Sequence, residues 1–132
     1  MKKLLIVMLL LMMAEGCADQ GNGNLSRSSY TQISQEEARR IMEEETGYLI
    51  IDVRTEEEFN EGHIPGAVNI PNETIADTRP PQLPDSGQKL LIYCRSGNRS
   101  RQAAQKLADM GYTGVYEFGG INTWDGEITV EQ

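Results

Sequence analysis

The chain has 132 residues, 39% of them hydrophobic and 24% charged, with a net charge of −8. That composition supports one ordinary domain with a packed core and excludes collagen and wholesale disorder. Two cysteines are too few for a disulfide-built mini-protein, and so acidic a balance argues against gripping nucleic-acid phosphates, which takes a basic face.

Residues 1–16 read as an export signal. Lys2 and Lys3 form a basic start, and Leu4 to Met13 is an unbroken apolar run. That run is too short for a membrane span, which needs about 20 residues, and fits the apolar stretch of a signal peptide. Ala14-Glu15-Gly16-Cys17 then resembles a bacterial lipobox, with Ala14 and Glu15 standing where Leu and then Ala or Ser are usual. The resemblance implies a lipid on Cys17; ordinary cleavage after Gly16 is the alternative. Residues 17–29, polar and rich in Gly, Ser and Asn, read as the lipid-attachment cysteine and a flexible tether. Residues 30–132 remain for the domain. The expected location is the periplasm or the outer cell surface, with a lipid anchor as the one membrane contact.

Tyr30–Ile33 predicts a short strand-like lead-in. Ser34 stands three residues before Glu37, a capping-box spacing, and the next helix carries Ala38, Ile41, Met42 and Glu45 on one face. Thr46-Gly47 ends it, and Glu43-Glu44-Glu45 reads as a solvated face. Tyr48–Val53 is a continuous apolar strand, the pattern of burial on both faces in a parallel sheet. Thr55 with Glu58 caps a short acidic helix through Asn60. Glu61–Gly66 is a turn, Ala67–Ile70 a short strand, and residues 72–78 one or two helical turns. Arg79–Gly87 is a Pro-rich loop. Lys89–Tyr93 is a second buried strand ending at Cys94. A helix runs from Arg99 or Ser100 to Met110, with Gly111 as its stop. Val115–Phe118 is a further strand, Gly119-Gly120 a turn, and Ile121–Trp124 a last helical turn. Strands alternating with helices predict an α/β domain with a mainly parallel sheet, whose ligands bind at the carboxyl ends of the strands.

Cys94-Arg95-Ser96-Gly97-Asn98-Arg99-Ser100 joins such a strand end to a helix. Its amides lead into a helix N-terminus and can converge on one anion. Gly97 permits the backbone angles of such a cradle. Arg95 and Arg99, with Arg101 behind, set positive charge beside the thiol. Dipole and arginines both favour thiolate over thiol, so the loop makes a nucleophilic sulfur and holds an anion against it.

Three blocks, Ile51–Phe59 (I-D-V-R-T-E-E-E-F), Glu61–Ala67 (E-G-H-I-P-G-A) and Ile92–Ser100 (I-Y-C-R-S-G-N-R-S), with Gly119-Gly120 and Trp124 after them, resemble a single-domain rhodanese, a sulfurtransferase. The likeness spans about Ile33 to Ile128. It implies a three-layer domain around a sheet of about five strands. It implies that Cys94 takes sulfur from a donor such as thiosulfate as a persulfide and passes it to a thiol, cyanide or a protein thiol. The loop Arg95, Ser96, Gly97, Asn98, Arg99 and Ser100 would bind the anionic donor, and Asp52 and Arg54 would brace that loop. His63 belongs to a turn motif, and Trp124 to core packing.

Two other readings share these residues. One is a phosphatase or arsenate reductase: the cell-cycle phosphatases of the same fold carry C-x5-R, but here the sixth residue after Cys94 is Ser100, with Arg99 one place early and Arg101 one late. A persulfide carrier or docking module without turnover would keep Cys94 as it is. No metal, nucleotide or organic cofactor is expected, and the domain reads as a monomer.

Overall fold

The computed structural model describes residues 29–131. The segment read as a signal peptide, Cys17, and the tether up to residue 28 lie outside that range.

The described chain alternates strands and helices: β1 (Thr31–Gln32), α1 (Gln35–Glu44), β2 (Tyr48–Asp52), α2 (Glu56–Glu61), β3 (Val68–Asn69), β4 (Lys89–Cys94), α3 (Asn98–Asp109) and β5 (Gly114–Gly120). Short 3-10 turns occupy Asn72–Thr74 and Ile121–Thr123. The five strands form one sheet in the order β1-β5-β4-β2-β3, every pair parallel. The fold is therefore the α/β domain with a parallel sheet that the alternation predicts.

Local chemistry sets the helix starts. Ser34 accepts from the Glu37 amide at 2.9 Å at the head of α1. Thr55 and Glu58 form the full reciprocal box at the head of α2. A side chain at either start thus satisfies amides that the first turn leaves without partners.

Both sheet faces are apolar, so the central strands read as continuous hydrophobic runs. On one face Ile51, Leu90, Ile92 and Val115 pack under Ala103, Ala104 and Leu107 of α3. On the other, Ile50, Leu91, Tyr93 and Phe118 pack against Ala38 and Ile41 of α1. Each buried Leu, Ile or Phe contributes on the order of 1.5–3 kcal/mol from removal of apolar surface. Trp124 lies against Phe118 in this second layer, with the Arg39 guanidinium 5.7 Å from its ring.

Two of the boundaries that differ from expectation bear on the site. α3 begins at Asn98, because Gly97 in the left-handed region supplies its start without a capping side chain. Gly119-Gly120, which read as a turn, is the end of β5 and pairs Gly120 with Cys94. The pairing brings the chain ends of β4 and β5 together beneath the loop that follows Cys94.

Candidate active site

Cys94 closes β4 and is a free, buried cysteine, 1% exposed. The chain then turns sharply through Arg95, Ser96 and Gly97. Gly97 has φ +108°, a conformation that L side chains rarely adopt. That turn aims the Gly97 amide at the Cys94 sulfur, 3.0 Å away. The sulfur therefore sits at the amino end of α3, where the helix dipole and a backbone N–H both favour negative charge.

The second glycine of the pair in β5 makes room for this turn. A Cβ on Gly120 would lie 2.0 Å from the Arg95 carbonyl oxygen and 2.6 Å from the Ser96 Cα. The loop thus rests directly on the backbone of β5, and the Asn122 amide donates to the same Arg95 carbonyl at 3.1 Å.

The arginines divide in role. Arg95 is exposed and its side chain carries no bond among the described residues. Arg99 is engaged: it makes a two-pronged ion pair with Glu58 of α2, at 2.8 and 3.1 Å. The hydrogen bond from Arg99 holds the Glu58 carboxyl down to about 2, with the Thr55 amide and hydroxyl adding to it. Glu58 in turn pushes the Arg99 guanidinium upward. Arg101 donates to the Asn98 carboxamide at 3.0 Å. Ser96 and Asn98 are exposed.

Ser100 stands six residues after Cys94, fully buried, with its hydroxyl 3.4 Å from the sulfur. The same hydroxyl has the Glu117 carboxylate of β5 at 2.5 Å and the Gly97 and Gly119 carbonyls farther off, at 3.0 and 3.4 Å. Where the phosphatase pattern requires an arginine, the site holds this hydroxyl.

Asp52 and Arg54 were expected to brace the loop; their bonds go elsewhere. The pair is buried, at 2.7 Å, on the α1 side of the sheet. Arg54 also donates to the Gly62 carbonyl at 2.6 Å. The Tyr93 hydroxyl donates to Asp52 at 2.6 Å and accepts from the Ile64 amide at 3.1 Å. Burial, with the Asp52 charge added, pushes the Tyr93 phenol well above its ordinary value, so it stays a donor. The pair thus fixes the residue before Cys94 and the Gly62–Ile64 turn. Odd and even residues of a strand face opposite sides, which puts this bracing on the far side of the sheet from the sulfur.

His63 stacks on Phe59 at 3.7 Å, and its ring nitrogens lie 2.9 and 2.8 Å from the Phe59 and Glu131 carbonyls. It holds the turn and the chain's last residues together. Glu58 and Glu117 are site residues that the sequence pattern did not single out. Glu58 read as a cap, and nothing in the spacing of β5 marked Glu117.

The rhodanese-like domain model matches residues 34–127. The thiosulfate sulfurtransferase PspE of Escherichia coli is 38% identical over 71 residues, 54% of this chain and 68% of that protein. The thiosulfate sulfurtransferase GlpE of Pseudomonas syringae is 33% identical over 98 residues, 74% of this chain and 89% of that one. A solved rhodanese-like domain protein from Staphylococcus aureus superposes with a TM-score of 0.67 at 30% identity, covering 77% of this chain and 99% of that one. With a buried cysteine at the amino end of a helix, a backbone amide on its sulfur and a family match that takes in β2 to β5, the chain belongs to the rhodanese-like family.

Proposed function

We propose that this protein is a thiosulfate-type sulfurtransferase working through a persulfide on Cys94. The observation that carries the reading is the Gly97 amide at 3.0 Å from the sulfur, at the start of α3. Such a site stabilises a thiolate and, after transfer, an anionic persulfide. The family, and relatives named as thiosulfate sulfurtransferases, support the same chemistry.

The thiolate of Cys94 attacks the outer sulfur of thiosulfate. The S–S bond of the donor breaks and its electron pair leaves with sulfite. A thiol, cyanide or protein thiol then attacks the terminal sulfur of the persulfide and returns the pair to Cys94. Two separate half-reactions of this kind give ping-pong kinetics. Arg95 is placed to meet the incoming dianion, while Arg99, held by Glu58, shapes the loop and adds charge at a distance. The export reading belongs with this proposal: Cys17 carries the lipid and the domain works outside the cytoplasm.

Intact mass of the mature protein, before and after thiosulfate, tests both parts. The expected result is a lipid-modified chain that gains one sulfur, released again by cyanide with thiocyanate turnover. Cys94→Ser should lose the sulfur adduct and turnover while keeping its circular dichroism. An adduct or turnover surviving in Cys94→Ser removes Cys94 from the reaction. A loaded wild type that releases sulfur only to a protein thiol, with no small-acceptor turnover, makes the domain a carrier.

A further inference from the structure

We propose that Glu117 is a positioning residue for sulfur transfer: it orients the Ser100 hydroxyl toward Cys94 and, through that hydroxyl, takes up the proton the thiol gives up. The inference rests on the sulfurtransferase reading above.

A carboxylate at this place is not explained by packing. Val115 of β5 belongs to the apolar layer under α3, and Glu117, two residues on, faces the same side. It is 1% exposed. Its oxygens are held from three directions: Gln32 Nε2 donates to Oε1 at 3.1 Å, and the Gly119 amide and the Ser100 hydroxyl donate to Oε2 at 3.0 and 2.5 Å. Cys94, Ser100 and Glu117 form a row in which each residue is 1% exposed or less. A proton leaving the sulfur has a hydroxyl beside it and a carboxylate behind that.

Ser100 has one hydroxyl hydrogen. The Gly97 and Gly119 carbonyls, at 3.0 and 3.4 Å, compete for it, but the carboxylate is both nearest and charged. The hydrogen therefore points to Glu117. A lone pair of Ser100 then faces Cys94, whose S–H donates to it at 3.4 Å. This arrangement holds a resting thiol. A thiolate in the same arrangement would face a lone pair, with a second negative charge just behind it in a site that water does not screen.

Moving two protons by one place each removes that conflict. The Sγ–H bond breaks and its proton joins Ser100 Oγ, while the original Ser100 proton passes to Glu117 Oε2. The site keeps one negative charge throughout. That charge now lies on sulfur, with the Ser100 hydroxyl and the Gly97 amide both donating to it. The freed pair forms the bond to the outer sulfur of thiosulfate, and sulfite leaves with the pair from the broken S–S bond. When an acceptor removes that sulfur, the pair returns to Cys94 and the protons retrace their steps. Donor and acceptor are the only co-reactants.

The groups packed around the row leave this role to Glu117. β1 contributes the neutral Gln32, β4 contributes Ile92 in register, and α3 contributes Ser100. Arg99, in the first turn of α3, is committed to Glu58.

Infrared difference spectroscopy tests the proton's location. Sulfur is loaded from polysulfide, which delivers it to a thiol whether or not thiosulfate is the true donor, and loading is verified by mass. The wild type should lose the S–H stretch and gain the C=O stretch of a protonated carboxyl. Glu117→Gln should load without that carboxyl band, and both Glu117→Gln and Ser100→Ala should load at least about tenfold more slowly, as expected when a positioned proton acceptor is lost. A wild type that loads without gaining the carboxyl band overturns the proposal, and that measurement needs no variant to fold. So does the same band in Glu117→Gln, or loading of that variant at the wild-type rate. Absence of thiosulfate turnover in a protein that passes the polysulfide test counts against the donor assignment alone.

Discussion

At the scale of single residues, the loop's arginines separate by what already holds them. Arg95 is exposed and unengaged among the described residues, whereas Arg99 is tied to Glu58 across two helices. Arg95→Ala should therefore raise the KM for thiosulfate about three- to tenfold with kcat little changed, since a charge-assisted contact at a wet site contributes about 1 kcal/mol or somewhat more. Arg99→Ala should raise KM less and lower kcat more, through a displaced loop. Steady-state kinetics of the two variants check this, and the opposite order would mean that Arg99 leaves Glu58 to meet the donor. Cys94, Gly97 and the arginines were legible in the sequence because they are contiguous, and the geometry of a strand-to-helix loop is local. The ties of Arg99 and Ser100 were not, because Glu58 and Glu117 come from other elements. Glu58 read as the cap partner of Thr55, a role complete within its own turn, and its second tie to Arg99 shows only when the partner helix is in place. The bracing assigned to Asp52 and Arg54 failed for a related reason: motif order gives proximity to β4 without saying which face of the sheet each side chain takes.

At the scale of elements, the placement of the loop depends on how closely β5 lets it approach. Gly120→Ala would put a methyl 2.0 Å from the Arg95 carbonyl oxygen, with backbone on both sides and no flexible side chain to yield. The expected cost is about 1–3 kcal/mol of stability, as for other overpacked sites, together with loss of most activity as the Gly97 amide shifts from the sulfur. Urea unfolding and the rate of iodoacetamide reaction with Cys94 measure the two effects. A variant with both values unchanged would show that the loop has slack against β5. The strands, the helices and the mainly parallel sheet were readable from apolar runs, cap spacings and the alternation of elements, and the order of the strands was not. Gly119-Gly120 was misread as a turn because two glycines signal a turn and a close backbone approach equally well, and only the neighbouring chain decides between them.

At the scale of the whole molecule, the Glu58–Arg99 pair links stability to acidity. The Glu58 carboxyl titrates at about 2 in the folded chain against an ordinary 4.5. A lowered value means stability that is fully present above about 4.5 and lost as the pH falls from there toward 2. The pair is partly exposed, at 30% and 25%, so solvent screening keeps its contribution at about 1 kcal/mol or less. Glu58→Gln should therefore melt below the wild type at neutral pH, and the two melting curves should converge as the pH falls below 4.5. A gap that stays constant with pH would assign the loss to the helix cap instead of the ion pair. The topology has a further consequence, for the order in which the chain can become ordered. Consecutive parallel strands cannot meet through a tight hairpin, so each ladder here closes only after a helix or long loop has intervened. The edge strand β1 has its ladder partner in β5, where Gln32 meets a residue 85 positions later. A chain emerging from its amino end must therefore carry its first strand unpaired until almost all of the domain has followed. Such non-local closure places folding toward the slow end for a domain of this size, and a chain cut short of β5 cannot finish the sheet.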